Sequence, residues 1–197
     1  MTTGAEDPAP PVGTRREVLR KLLAARAAGD ARVLSAQQER LWIAHRLDPG
    51  DPSQNLRSAV WIHGELDEAA LERCLSALVR NHEQLRARFF EHQGIALPRI
   101  RSAEAVELRR AALAHLDPSD PDTGTARAVR REASRPFALL REPPLRAALL
   151  VLGDTESVLV LTVHHIVCDA WSMEILLRQL AEIYPSTVRG GAPRPPA

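Results

Sequence analysis

The residues best suited to chemistry lie in VLVLTVHHIVCDAWSMEILLRQL, residues 158–180, which holds His164, His165, Cys168, Asp169 and Ser172. A histidine changes charge near neutral pH, so it can take or give a proton at a reacting atom. Successive side chains of an extended strand point to opposite faces, so His164 and His165 do not share one cavity. One is left to work and the other to support. The same geometry argues against a metal centre, because zinc and iron sites need at least three convergent ligands. Asp169 stands where the strand gives way to a helix, and it either caps that helix or orients the nearby histidine. Cys168 and Ser172 bring nucleophilic catalysis to mind, but a nucleophile needs spatial contact with its base and an oxyanion hole. No G-x-S-x-G elbow is present. Cys168 reads as a small buried hydrophobe. From these residues alone, a catalytic histidine and a hydrogen-bonded core histidine are equally good accounts.

Several elements must hold this stretch in place. LRAALLVL and SVLVLTV form a hairpin pair around GDTE, with the histidines at its far end, and WSMEILLRQLAEIY forms the last helix. Upstream, Ser35 is placed to cap a helix reaching Leu47, with Leu34, Leu41, Trp42 and Leu47 as its apolar positions. SAVWIHGEL alternates like a strand. LDEAALERCLSALVRNHEQL follows as an amphipathic helix with Leu71, Leu75, Leu78 and Val79 on one side. RARFFEHQGIALPRI reads as two strands around Gln93-Gly94, VELRRAAL as a third, LDPSDPDTG as a loop and TARAVRREASRP as a charged helix. Residues 1–14 are expected to be a disordered leader, and residues 15–33 a helix that packs on the domain or docks a partner. Residues 34–185 make the main lobe, and 186–197 a Pro/Gly-rich tail.

Composition narrows the possibilities. A chain of 197 residues with 45% hydrophobic and 26% charged residues suits one globular unit with a sizeable core. Its 26 basic and 25 acidic residues occur without long blocks of one sign, so no nucleic-acid or anionic-membrane partner is expected. Two cysteines, Cys74 and Cys168, cannot build a disulfide framework, and no apolar run approaches the roughly 20 residues of a membrane span. With no signal-peptide pattern at the start, a cytoplasmic protein with free thiols is expected.

Four segments, in order, carry a family resemblance. HHIVCDAWSMEILLRQL resembles the HHxxxDG signature of condensation domains of nonribosomal peptide synthetases, within the chloramphenicol-acetyltransferase-like acyltransferases. SAQQERLW, with Ser35, Gln38, Arg40 and Trp42, is similar to the family's first motif. NHEQLRARF, with His82, Glu83, Arg86 and Phe89, is similar to its second, and RPFALLREPPLRAALL to the stretch leading to the histidines. Trp171-Ser172-Met173 after the aspartate favours a condensation over an epimerization domain, and the absence of a DxxxxD pattern argues against a heterocyclization domain.

The resemblance covers about residues 15–185 and implies one α/β lobe, a mixed sheet with helices packed on it. Family members have two such lobes with a tunnel between them. It implies further that His165 acts at the reacting centre, that His164 supports it, and that Asp169 is a structural ion-pairing residue whose arginine partner belongs to the second lobe. The partners implied are peptidyl or acyl carrier proteins with phosphopantetheine arms, and a second condensation lobe or synthetase chain; no cofactor or metal is bound directly. The sequence departs from the family pattern at Ala170, where Gly is usual and a methyl crowds a close backbone approach. Asn81 and Ala138 depart likewise. Three functions fit: a condensation half-domain needing its second lobe, a homotrimeric chloramphenicol-acetyltransferase-like acyltransferase, and a non-catalytic remnant or interaction lobe.

Overall fold

The computed structural model describes residues 34–92, 95–112 and 124–196. The expected leader and the helix over 15–33 lie outside them, as do most of the LDPSDPDTG loop and the Gln93-Gly94 turn. Among the described residues, six strands and four α-helices follow one another as α1 (Ala36–Leu47), β1 (Asn55–His63), α2 (Glu68–Asn81), β2 (Ala87–His92), β3 (Ile95–Ile100), β4 (Leu108–Ala112), α3 (Thr125–Ala133), β5 (Leu145–Val151), β6 (Glu156–His164) and α4 (Ala170–Val188). Short 3₁₀ turns at Pro52–Gln54 and Glu83–Arg86 lead into β1 and β2.

The main sheet runs β1-β6-β5-β4. β6 is antiparallel to β1 and to β5, whereas β4 lies parallel to β5, so the sheet is mixed, as the sequence resemblance implied. The strand expected in VELRRAAL therefore joins this sheet rather than the β2-β3 hairpin, which stands apart. Central β6 is buried on both faces from Ser157 onward. That explains its unbroken apolar run, since alternation marks only strands with one wet face. β1 alternates because it is an edge, and Gly64, at φ +102°, ends it in a conformation that favours glycine.

Leu159, Leu161 and Val163 of β6 pack with Leu145 and Leu149 of β5 against α2 and α4. The opposite face, through Ala148, Leu150, Val158 and Val160, meets Ala128 of α3. Asp67 caps α2 by accepting from Ala70 N at 2.8 Å, and Tyr184 of α4 accepts from Asp67 N at 2.9 Å, joining the two helices. A third cluster packs Trp42 of α1 with Phe89 of the hairpin, Phe137, Leu139 and Ile166. On α1 the expected stripe is only partly realised: Trp42 is buried, but Leu47 is 83% exposed, because the helix passes beyond its supporting cluster. The last helix also differs from expectation, running through Pro185 to Val188. Side-chain hydroxyls of Ser186 and Thr187 both donate to Ile183 O at 2.9 Å in this last turn.

Candidate active site

His164 is the last residue of β6, locked between neighbours: its N–H donates to Pro144 O at 2.9 Å, and it pairs across the sheet with Asn55. Its ring is 2% exposed. The rings of His45 and Phe137 meet it edge-on, with centroids 5.5 and 5.8 Å away. Ile166 N donates to its Nδ1 at 3.1 Å. Burial, with lesser contributions from His45 and His165, pulls its pKa down to about 4, so His164 is neutral at pH 7 and carries its proton on Nε2.

His165 begins the turn between β6 and α4 and is only half-buried. Its N–H donates to Gln54 O at 2.8 Å. Its Nδ1 lies 2.9 Å from Cys168 O, and since a carbonyl only accepts, Nδ1 is the protonated nitrogen. In the neutral ring, Nε2 is then a free lone pair. A main-chain carbonyl thus fixes the tautomer and orientation of His165, the task an aspartate performs in a catalytic triad.

Asp169 does something else. As N-cap of α4, it accepts from Ser172 N at 2.8 Å through Oδ1, and the hydrogen bonds from Ser172 hold its carboxyl below the ordinary value. Of the two roles open in the sequence, it takes the cap. Ala170 is the first helical residue and is exposed, so its methyl group meets solvent in this lobe. Trp171 beside it is 68% exposed. Ser172 is half-buried and lines a 260 Å³ hollow with Val167, Cys168, Ile175, Leu176 and His82. Burial, then the nearby Asp169 charge, pushes the Cys168 thiol up to about 11, so it is no thiolate nucleophile at neutral pH.

The first two motifs brace this turn from either side. Ser35 and Gln38 form a reciprocal capping box at the start of α1. Gln38 Nε2 also donates to Ile166 O at 2.9 Å, tying α1 to the residue after the histidines. Trp42, one turn on, stacks on Phe89 at 5.9 Å, and His45 lies on the same face. Arg40 is exposed on the other side of α1. In the second motif, His82 donates through Nε2 to Gln179 Oε1 at 2.6 Å, and Gln179 donates to Pro196 O at 2.9 Å, so α4 holds both that motif and the tail. Exposed Glu83 opens the 3₁₀ turn, while Arg86 closes it and donates to Arg101 O at 2.8 Å. His45, Phe137 and Gln179 are functional neighbours that sequence reasoning missed; only His45 had a signal, three residues after Trp42 on one helical face.

Comparison with known proteins places these features in a family. A model of the condensation domain matches residues 29–197. The dimodular nonribosomal peptide synthase of Bacillus subtilis is 41% identical over 162 residues, covering 81% of this chain and 6% of that protein. Among solved structures, the first condensation domain of the calcium-dependent antibiotic synthetase, in complex with a substrate analogue, is 30% identical with a TM-score of 0.69. That match covers 85% of this chain and 39% of the other. The X-domain in its complex with OxyB from teicoplanin biosynthesis is 32% identical with a TM-score of 0.73, covering 83% of this chain and 34% of the other. This chain spans less than half the length of each of these three.

Proposed function

The chain belongs to the condensation-domain family, and on that premise we propose that it is the first lobe of an amide-forming condensation domain of a nonribosomal peptide synthetase, completed by a second lobe. The observation that carries this reading is the pairing of His165 Nδ1 with Cys168 O, which leaves Nε2 as the acceptor on the turn. The substrates are an acyl or peptidyl thioester on a donor carrier protein and an aminoacyl thioester on an acceptor carrier, each on a phosphopantetheine arm. The acceptor's amine attacks the donor thioester carbonyl. A C–N bond forms, the nitrogen's proton passes to His165 Nε2, and the C–S bond breaks as that proton is handed on to the leaving sulfur, which releases the donor arm as a thiol.

An α-amino group titrates near about 8, so much of the nucleophile is neutral before it meets any base. His165 therefore positions the amine and takes its proton as the tetrahedral intermediate forms. His164 holds the strand end, and the Asp169 cap fixes where α4 begins. Loss of general-base help typically costs about 10²–10⁴-fold. In the domain assembled with its second lobe, His165→Ala is expected to lower single-turnover condensation by that factor, and an unchanged rate would remove His165 from the chemistry.

A second reading has one observation in its favour. The X-domain neighbour was solved in complex with OxyB, so a lobe of this kind that binds another protein has a structural parallel. Binding of a partner that is unaffected by His165→Ala, with no condensation by the wild-type assembly, would favour it.

A further inference from the structure

Away from the histidines, the β2-β3 hairpin, the loop after β3 and the start of β5 enclose a cavity of about 520 Å³, within the size range of small-molecule sites. Arg86, Arg88, Arg101, Arg109, Arg135 and Arg146 line it, against three carboxylates, Glu104, Glu107 and Glu132. Arg88 pairs with Glu104 at 3.3 Å, and buried Glu132 is shared by Arg109 and Arg135. Among the described residues, Arg86, Arg101 and Arg146 have no carboxylate at ion-pair distance.

Two of these are only partly satisfied. Arg86 donates to Arg101 O, and Arg146 donates to Pro136 O at 3.2 Å and to Arg135 O while lying 3.9 Å over the Phe137 ring. Each retains a buried Nε–H with no acceptor among the described residues. Burial, with a smaller push from Arg135, pulls the pKa of Arg146 below its ordinary value, and the more distant charges of Glu142 and Glu132 do not offset it. Positive charge uncompensated within a partly enclosed space concentrates its field there. Val79, Leu85, Leu145 and Val160 supply apolar wall between these charges, with the hydroxyl residues Ser102 and Thr162 beside them.

We propose that this cavity binds a small organic acid, an apolar body bearing one carboxylate or phosphate head, with Arg86, Arg101 and Arg146 supplying the charge. None of His164, His165 and Asp169 lines it, so the site is distinct from the histidine turn. Pro143 and Leu145 do line it, on either side of Pro144, whose carbonyl holds His164 N. Occupancy therefore sits beside the anchor of the histidine strand.

The arginine Nε–H signals of Arg86 and Arg146, followed by ¹H–¹⁵N NMR on the purified chain, report on the site directly. Octanoate and octyl phosphate are the probes, with inorganic phosphate and octanol as controls. Saturable shifts of both signals with either acid, absent with octanol and weakened about tenfold by Arg101→Gln at an exposed position, are the expected result. A carboxylate-selective response identifies one source of the head group and a phosphate-selective response the other. No saturable shift with either acid, or equal shifts with octanol, overturns the proposal. Inorganic phosphate binding as tightly as octyl phosphate overturns the apolar half of it.

Discussion

His164 lies at 2% exposure between the rings of His45 and Phe137, whereas His165, one peptide bond away, is half-buried on a turn and held by a single ring nitrogen. The two also carry opposite tautomers: Nδ1 accepts in His164 and donates in His165. Identical side chains thus acquire different chemistry from where the chain places them. At His164 the protein spends packing on a ring it keeps neutral. At His165 it uses only main-chain carbonyls, which fix the ring while leaving one edge free.

Stability measurements can break this contrast. His164→Ala removes a buried ring and the acceptor for Ile166 N, and is expected to cost about 2–4 kcal/mol by denaturant unfolding. His165→Ala is expected to cost less than about 1 kcal/mol. Equal losses would erase the division between them.

The pH dependence has a definite sign. Because the folded pKa of His164 is about 4 and its ordinary value is 6.5, the unfolded chain binds the proton more readily between those values. Stability is full above about pH 6.5 and falls as the pH drops toward 4, by at most about 3 kcal/mol at 1.36 kcal/mol per unit. His45, also lowered by burial, acts in the same direction. His164→Phe is expected to flatten most of the slope, and an unaltered slope would mean that the ring is not the desolvated group.

Smaller effects sharpen the account of what positions His165. Gln38→Ala loses one half of the capping box and the bond to Ile166 O, and is expected to cost about 1–2 kcal/mol in thermal or denaturant unfolding. Asp169→Ala is expected to cost about 1 kcal/mol and Asp169→Asn only a few tenths, since Asn caps as well as Asp. A large loss for Asp169→Asn would show that its charge, rather than its cap, matters to this lobe.

Local pattern made much of this legible. Strand alternation separated the two histidines, the apolar run before them read as a strand, and Ser35 and Asp169 marked helix starts in the places where they cap. Long-range partners left no such trace. Gln38 sits three residues after Ser35, the spacing of a capping box, yet its other nitrogen ends 128 positions away at Ile166 O. Periodicity has no access to that distance. The parallel placement of β4 beside β5, the Phe137 and His45 walls around His164 and the His82–Gln179 bond were hidden for the same reason. Leu47 misled because helical spacing says which face a residue occupies, not whether anything covers that face.

The most direct measurement is a long-range ¹H–¹⁵N spectrum of the histidine rings at a pH where both are neutral. The account requires His165 to carry its proton on Nδ1 and His164 on Nε2. A His165 protonated on Nε2 would have no lone pair to offer an incoming amine, and would contradict the assignment of His165 as acceptor.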